Sequence, residues 1–271
     1  MKLRIAQIQM PVTADREENI RRACEMVRQA GDIDMAVLPE MFCCPYDNAC
    51  FRAYGEAEGG GAYQALSALA KEQGIWLVGG TMPELAEGKV YNTCYVFAPD
   101  GQLAAKHRKM HLFDIDVKGG QRFMESETLT AGDSVTTFAT PWGVVGVCVC
   151  FDFRFAPLAG LMSQAGAKVM VVPAAFNMTT GPAHWELLFR QRAVDGQCYT
   201  VGTSPARDTG AGYVAWGHSI VCDPWGTVVH QCDETAQVAV TTLDMERVET
   251  VRQQLPILSA MRRDVYALRK L

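Results

Sequence analysis

Short apolar runs alternate with longer amphipathic segments along this chain, and this alternation limits the folds that it can adopt. Residues 3-LRIAQIQ-9 alternate apolar and polar side chains, as a half-buried strand does. The stretch 14-ADREENIRRACEMVRQA-30 then spaces its apolar side chains at helical intervals, and Gly31 favours termination of that helix. The first half continues with a predicted helix at 62–73 and predicted strands at 35–40, 75–80, 91–97, 102–109 and 135–140.

The second half of the chain repeats this alternation. Two PWG tripeptides, at 141–143 and 224–226, predict tight turns between paired strands. Strands that interleave with helices and also form hairpins indicate an α/β layered fold, built on one mixed sheet or on two stacked sheets. No linker rich in Pro, Gly or Ser interrupts the pattern, so we expect one domain over residues 1–271. The predicted helices are 156–165, 182–196 and 244–255, and the predicted strands are 144–149, 168–174, 198–204, 216–222 and 236–243.

Charge and cysteine content disfavour several classes of function. The net charge of −5 and the absence of long basic runs argue against a nucleic-acid surface or a polybasic membrane anchor. No segment stays apolar for about 18 residues, and the N-terminus lacks a signal-peptide pattern, so we expect a cytoplasmic protein. Most of the ten cysteines are expected to be reduced core residues. No C-x-x-C pair occurs, and His107 and His111 lack the glutamate of a zinc-binding H-E-x-x-H motif, so neither a metal nor a cofactor is predicted.

Three residues that can carry chemistry follow predicted strands. Cys150 ends the apolar run 144-VVGVCVC-150, Glu40 ends 36-AVLPE-40, and Lys109 ends the predicted strand 102–109. Each alone has a plainer interpretation, as a core thiol, a surface acid or a solvated lysine. Together they are informative, because a nucleophilic thiol needs a base and a positive group near the developing oxyanion. Ligands of α/β sheets also bind beyond the carboxyl ends of strands.

The sequences around these residues resemble the nitrilase superfamily of carbon–nitrogen hydrolases. The resemblance implies a four-layer α-β-β-α sandwich of two stacked mixed sheets. It also implies that Glu40 is the catalytic base, Lys109 the oxyanion-binding cation and Cys150 the nucleophile, whereas Cys148 does not match the nucleophile. The backbone N–H of Phe151, where many relatives carry Tyr, is then the second oxyanion donor. The matching motifs are 38-LPEMF-42, 106-KHRKMHLFD-114 and 148-CVCFDFRF-155.

Further stretches resemble the omega-amidase branch of this superfamily, whose members deamidate 2-oxo acid amides such as 2-oxoglutaramate and 2-oxosuccinamate. The chain departs from that branch at Gly196, where relatives usually carry Asn, and at Pro157, where they commonly carry Glu. These departures bear on substrate preference more than on the chemistry of the amide bond. The stretches that carry the resemblance are 111-HLFDIDV-117, 123-FMESETLTAGDS-134, 176-FNMTTGPAHWELL-188, 203-TSPARD-208 and 214-VAWGHS-219.

The resemblance also implies supporting roles. Glu125 matches a second glutamate that supports the lysine, Arg154 a group that binds the substrate carboxylate, and Phe176 a wall of the pocket. From the local sequence alone, each has an alternative: an acid in a polar loop for Glu125, an ion pair with Asp152 or another acid for Arg154, and simple core packing for Phe176. Segment 115–127 has few apolar anchors and is expected to be either a mobile lid or an ordinary surface loop. Family members pair through helices that flank the sheet, so we expect a homodimer or a higher homo-oligomer that acts on a small-molecule amide and water.

Three rival interpretations stay open at the level of sequence. The first is another hydrolase of the superfamily, such as a nitrilase, a deaminated glutathione amidase or an N-carbamoyl-amide hydrolase. The second is a Cys–His hydrolase that uses His107, His111 or His184 as its base. The third is a non-catalytic binding protein that carries a thiol.

Overall fold

The computed structural model describes all 271 residues of the chain. Its strands are β1 (Lys2–Gln9), β2 (Met35–Val37), β3 (Trp76–Val78), β4 (Met82–Ala86), β5 (Lys89–Phe97), β6 (Leu103–Arg108), β7 (Asp114–Asp116), β8 (Arg122–Met124), β9 (Thr136–Thr140), β10 (Gly143–Val147), β11 (Ala167–Pro173), β12 (Tyr199–Thr203), β13 (Ile220–Cys222), β14 (Val228–Gln231) and β15 (Gln237–Asp244). Its α-helices are α1 (Arg16–Gln29), α2 (Asn48–Phe51), α3 (Gly61–Gln73), α4 (Ala156–Gln164), α5 (Gly181–Gly196) and α6 (Met245–Gln254). Two 3₁₀ helices span Glu125–Glu127 and Cys150–Arg154.

The strands form two large mixed sheets and one small hairpin. The first sheet has seven strands in the order β15-β1-β2-β3-β5-β4, with β6 also paired to β5. Within it, β1, β2 and β3 run parallel, whereas β15 pairs antiparallel with β1. The second sheet has six strands in the order β14-β13-β12-β11-β10-β9, and β10, β11 and β12 run parallel. Strands β7 and β8 pair only with each other.

The two large sheets pack face to face over a shared apolar core. Leu3 and Ile5 of β1 join Val147, Val171 and Val201 of the second sheet in one buried cluster. Strand geometry accounts for this, because successive side chains point to opposite faces of a sheet. The stacked pair of sheets, one of the two predicted arrangements, is therefore the one observed.

Helices cover the outer face of each sheet. Ile8 of β1 points away from the central core and packs with Val27 of α1 and Leu66 of α3. On the other side, Met162 of α4 and Phe189 of α5 belong to the cluster of the second sheet. The layers therefore run helices, sheet, sheet, helices, which confirms the predicted α-β-β-α sandwich.

Most predicted elements are present, and the differences lie at edges and strand ends. Strand β2 ends at Val37 rather than at residue 40, and β10 ends at Val147 rather than at residue 149, because the backbone turns to place polar groups. The edge strands β4 and β14 were not predicted, and neither was the β7–β8 pair. These are short segments, three to five residues long, in which alternation gives too little signal. Both PWG tripeptides connect paired strands, as predicted.

The ten cysteines are all free, and only Cys50 is not buried. This agrees with their predicted role as reduced core residues. None of the helices is both long and apolar enough to cross a lipid bilayer.

Candidate active site

Glu40 is held by a tight turn that follows β2. The next residue, Met41, has φ of 51°, in the left-handed region that few side chains adopt. Its backbone N–H donates to Thr81 Oγ1 at 2.8 Å, which fixes the turn. The Glu40 side chain is buried, and Asn92 Nδ2 donates to its Oε1 at 2.8 Å. The backbone therefore fixes this carboxylate between the layers instead of exposing it as a loop acid.

Lys109 is the first residue beyond β6, and its side chain is fully buried. Its Nζ donates to Glu40 Oε1 at 2.9 Å and to Glu125 Oε1 at 2.9 Å. The third contact of Nζ, to the Tyr46 hydroxyl, is longer at 3.3 Å. An ammonium group has three hydrogens, so one of them is left available for a stronger acceptor.

Glu125 begins a 3₁₀ helix and lies buried beside Lys109. Its Oε2 accepts the Phe113 backbone N–H at 2.6 Å, and its Oε1 accepts both Lys109 and the Tyr46 hydroxyl. The structure therefore places the predicted supporting glutamate in contact with the predicted lysine. Tyr46, which sequence analysis did not single out, contacts both carboxylates: its hydroxyl donates its one hydrogen to Glu125 Oε1, and its oxygen also lies 3.3 Å from Glu40 Oε1.

Cys150 lies just beyond β10, at the first position of a 3₁₀ helix. Its φ of 46° is left-handed, a strained conformation for a residue with a side chain. Although Cys150 ends an apolar run in the sequence, it is not part of β10, which ends at Val147. The thiol is instead turned out of the strand direction, as nucleophiles on sharp turns after strands are.

Glu40, Lys109 and Cys150 influence one another electrostatically. Burial raises the pKa of the Glu40 carboxyl, the charge of Lys109 opposes this, and the charge of Glu125 adds to it. Burial acts to lower the pKa of Lys109, but the carboxylates of Glu125 and Glu40 outweigh it and hold that pKa above its usual value. Burial and the Glu40 carboxylate raise the pKa of the Cys150 thiol, against the effect of Lys109. The resting site therefore combines a protonated lysine with a neutral thiol that needs a base.

Asp152 joins the segment that carries Lys109 to the segment that carries Cys150. Its carboxylate accepts the backbone N–H of Val149 at 3.1 Å, of Met110 at 3.1 Å and of His111 at 2.8 Å. The imidazoles of His107 and His111 bind the same carboxylate at 2.9 and 2.7 Å. Burial acts to raise the pKa of Asp152, but the hydrogen bonds from His107 and His111 hold it below its usual value. Asp152 is thus an ionised anchor between two sheets.

The histidines do not occupy the position of a catalytic base. His107 is buried between Asp152 and Thr136, and His111 stacks on Phe155 at 3.7 Å between ring centroids. His184 Nδ1 lies 3.1 Å from Arg154 Nη1. No histidine is hydrogen-bonded to Cys150, so the geometry favours Glu40 over a Cys–His arrangement.

Arg154 has no acidic partner. Its guanidinium lies over the Phe176 ring at 4.6 Å and near the Phe151 ring at 5.7 Å. Asp152 is committed to His107 and to His111, which rules out the alternative ion pair between Asp152 and Arg154. Burial lowers the pKa of Arg154, yet an arginine stays charged because its ordinary pKa lies above about 12. A half-buried, unpaired guanidinium is suited to binding an anion.

Phe176 combines both roles that the sequence left open. It is buried and packs edge-on against Trp185, with ring centroids 5.0 Å apart. Its ring also lines the space beside the Cys150 thiol, under Arg154. It is therefore a core residue and a wall of the site.

Two cavities adjoin the cluster. A narrow cavity of about 160 Å³, counted with its open mouth, lies beside Cys150 and is also lined by Phe151, Arg154, Phe176 and Tyr213. A larger cavity of about 650 Å³, counted with its open mouth, is lined by Glu40, Tyr46 and Tyr213 among others. The site thus has space on both sides of Tyr213.

Sequence comparisons identify relatives over almost the whole chain. The family model "Carbon-nitrogen hydrolase" matches residues 3–253. The chain is 49% identical to the omega-amidase NIT2 of Mus musculus, over 98% of this chain and 97% of that protein. It is 48% identical to the omega-amidase NIT2 of Homo sapiens, with the same coverage of both chains.

Structural comparison leads to the same superfamily. Saccharomyces cerevisiae Nit3, described as a member of the nitrilase superfamily, superposes with a TM-score of 0.89 at 41% identity, covering 97% of this chain and 96% of Nit3. The Caenorhabditis elegans NitFhit protein superposes with a TM-score of 0.89 at 33% identity, covering 98% of this chain and 66% of NitFhit. The resemblance to the nitrilase superfamily and its omega-amidase branch is confirmed. The chain therefore belongs to the carbon–nitrogen hydrolase family of the nitrilase superfamily and is an amidase.

Proposed function

We propose that this amidase hydrolyses the terminal amide of small 2-oxo dicarboxylic acid monoamides, 2-oxoglutaramate and 2-oxosuccinamate, to the dicarboxylate and ammonia. One observation carries the proposal: the buried Glu40–Lys109–Glu125 cluster adjoins Cys150, and an unpaired arginine lies across the same narrow cavity. An amide at the thiol and a carboxylate at Arg154 fit this arrangement. Relatives that bear the omega-amidase name add support.

The reaction begins with transfer of the Cys150 thiol proton to Glu40. The sulfur adds to the amide carbon, and Lys109 together with the Phe151 backbone N–H binds the oxyanion that forms. Loss of one such donor typically costs about 2.7–4 kcal/mol of transition-state stabilisation. Glu40 then protonates the amide nitrogen, and ammonia leaves as the C–N bond breaks. A thioester on Cys150 remains.

Hydrolysis of the thioester restores the resting site. Glu40 takes a proton from water, and the hydroxyl oxygen adds to the thioester carbon. The C–S bond breaks, Cys150 regains a proton from Glu40, and the carboxylic acid departs. The sum of both steps is amide plus water to acid plus ammonia, so no cofactor is required.

The raised pKa values fit these roles. A neutral thiol needs a base within reach, and the buried Glu40 carboxylate is a stronger base than an exposed one. Lys109 keeps its charge throughout, since its two carboxylate neighbours hold its pKa high. It therefore stabilises the oxyanion without first gaining a proton.

The rest of the substrate occupies the side of the narrow cavity beneath Arg154. The guanidinium binds the substrate carboxylate with two parallel N–H donors, and the rings of Phe151 and Phe176 flank the carbon chain.

The decisive experiment is ammonia release by the purified protein from three substrates: 2-oxoglutaramate, a simple nitrile and N-carbamoyl-β-alanine. We expect hydrolysis of 2-oxoglutaramate, with loss of turnover in Cys150→Ala, Glu40→Gln and Lys109→Met. Intact mass should show an acyl adduct on Cys150. Cys148→Ala, at the other cysteine of the motif, is the matched control and should retain turnover.

Two outcomes would overturn the proposal. Activity confined to the nitrile or the carbamoyl compound would assign the site to another hydrolase of the superfamily. Retained ammonia release in Cys150→Ala would remove the thiol from the mechanism.

A further inference from the structure

Tyr213 stands between the two cavities of the site. Tyr213 and Ala175 line both of them, and the Tyr213 hydroxyl donates to Ala175 O at 2.6 Å. The Tyr213 ring stacks on Tyr46, with centroids 4.4 Å apart. The narrow cavity contains Cys150, whereas the larger one contains Glu40. Cys150 therefore lines one compartment and Glu40 the other, while the two side chains still interact with each other.

The two compartments carry opposite charges. Arg154 is the charged residue of the narrow cavity. The larger cavity has Glu40, Asp47 and Asp208 in its lining and no lysine or arginine. An anionic acyl group is thus favoured on one side, and a protonated amine on the other.

Glu40 lines the larger cavity, and one of its carboxylate oxygens has no hydrogen-bond donor. Its Oε1 is used by Asn92 and Lys109, whereas its Oε2 is buried and has no hydrogen-bond partner. A buried carboxylate oxygen without a donor is costly, so it favours any donor that reaches it, which is the Cys150 thiol in the first step and the leaving nitrogen afterwards. Because Glu40 delivers the proton to the departing nitrogen, that nitrogen must face Glu40.

We propose that the larger cavity is a subsite for the leaving amine, so that the enzyme also hydrolyses monoamides whose nitrogen carries a short alkyl chain. This rests on the proposed function and extends it to the nitrogen side of the substrate. Glu40 protonates the substituted nitrogen, the C–N bond breaks, and a primary amine leaves in place of ammonia while Cys150 keeps the acyl group. Chains that end in an ammonium group bind better than neutral chains of similar length, because the lining is acidic.

The first test compares the unsubstituted monoamide with its N-propyl analogue, with release of ammonia or propylamine as the readout. We expect the N-propyl amide to retain kcat/KM within roughly tenfold of the parent, since a preformed cavity receives the chain. Turnover of the parent without any turnover of the N-propyl amide would overturn this inference and leave the proposed function standing. No turnover of either compound would overturn both.

The second test fills the cavity. Gly212 lines it, and a Cβ placed there meets no atom within 4 Å, so Gly212→Phe is compatible with the backbone. We expect this change to lower the N-propyl to parent ratio of kcat/KM by roughly tenfold or more. Thr209→Phe, on the same loop but outside the lining, is the control and should leave the ratio unchanged. An equal ratio in both variants would contradict the subsite.

The third test concerns charge. Asp208→Asn should raise KM for the N-(3-aminopropyl) amide roughly two- to fivefold, the range for one exposed charge pair, and leave KM for the N-propyl amide unchanged. Asp208 Oδ1 accepts the Gly210 N–H, a bond that Asn can keep. The same rise in KM for both amides would overturn the charge preference.

Discussion

At the scale of single residues, the site is defined by one buried ammonium shared between two buried carboxylates. Lys109 cannot neutralise both Glu40 and Glu125, so the cluster carries excess negative charge in a dry environment. Burial raises the pKa of Glu40 and the charge of Glu125 adds to this, whereas the two carboxylates raise the pKa of Lys109. The cluster therefore combines a carboxylate of raised pKa with a charged ammonium, as the roles proposed for Glu40 and Lys109 require.

The pH dependence of kcat/KM should report this arrangement. Glu40 must be ionised to act as base, so activity falls as the pH drops through its raised pKa, above the usual value of 4.5. Lys109 should produce no alkaline limb below its usual 10.5. Glu125→Gln removes one negative neighbour and should move the acid limb to lower pH. An acid limb at or below pH 4.5 in the unmodified enzyme would contradict the assignment of Glu40.

Replacement of Arg154 should separate binding from chemistry. Arg154→Met is expected to lower kcat/KM for 2-oxoglutaramate. The corresponding rise in activation free energy is about 2–5 kcal/mol, the cost of removing one partner from a buried charge pair. Arg154→Lys should recover only part of this loss. The lysine restores the positive charge, but its ammonium lacks the planar pair of donors. Steady-state kinetics with butyramide, which has no carboxylate, provide the control. Equal losses for both amides would assign Arg154 a structural role.

Sequence analysis found the charged and nucleophilic residues of the cluster but missed the residues that orient them. Glu40, Lys109 and Cys150 each follow a strand and lie in recognisable motifs, and the structure brings them together. Tyr46 and Asn92 bind Glu40 through side chains that carry no local pattern. Their contacts depend on residues far away in the chain, which only the fold makes visible.

At the scale of elements, Asp152 fixes the distance between two catalytic segments. One carboxylate receives N–H donors from the segment after β6 and from the segment after β10. The sequence offered Asp152 only as a partner of Arg154, because neighbours in sequence were the only available candidates. Its real partners, His107 and His111, are more than forty residues away.

Asp152→Asn should lower both stability and turnover. The asparagine NH₂ group is a donor and cannot accept the N–H groups that one oxygen of Asp152 accepts. We therefore expect a loss of roughly 3–5 kcal/mol in the free energy of unfolding at neutral pH. The folded pKa of Asp152 lies below its usual 3.8, so its contribution is present above that value and is lost as the pH falls through the folded pKa. The difference in unfolding free energy between variant and wild type should therefore become smaller at acidic pH, as measured by urea unfolding.

Kinetics distinguish positioning from simple stabilisation in this variant. If Asp152 positions the two segments, kcat should fall with little change in KM under conditions where the variant is folded. Asp133→Asn, at an exposed aspartate, is the control and should change neither stability nor kcat. An unfolding curve for Asp152→Asn that matches wild type at neutral pH would contradict the anchor.

The segment 115–127 illustrates why some elements escape prediction. It contains β8 and all of β7 except Asp114, and the two strands are joined by the turn at Gly119, whose φ is 76°. The pair is tied to the rest of the molecule by Asn177 Nδ2, which donates to Gln121 Oε1 at 2.5 Å. Such an element derives its order from tertiary contacts, so its sequence looks like that of an ordinary loop.

At the scale of the whole molecule, the outer helix layer of the second sheet exposes apolar side chains. Leu187 of α5 is 62% exposed and Trp225 is 52% exposed, and both line one groove. Exposed apolar groups in one place are typical of contact surfaces. The family resemblance predicts pairing through helices that flank the sheet, and α5 is one such helix.

We expect the purified protein to sediment as a dimer or a larger homo-oligomer. Leu187→Arg should raise the dissociation constant of the oligomer by roughly tenfold or more, because the contact between subunits would bury an unpaired charge. Lys71→Glu, on α3 in the opposite helix layer, should have no effect. A wild-type protein that sediments as a monomer at all concentrations would show that this face is free.

The pairing of β15 with β1 joins residues from the two ends of the sequence within the sheet that carries Glu40 and Lys109, while Cys150 comes from the other sheet. A ribosome-bound chain therefore cannot complete that sheet until nearly all of it has been synthesised. Truncated products and proteolytic halves should be inert toward amides even where they keep secondary structure. Turnover then serves as an assay for complete assembly, since only the finished sandwich brings base, cation and sulfur into one place.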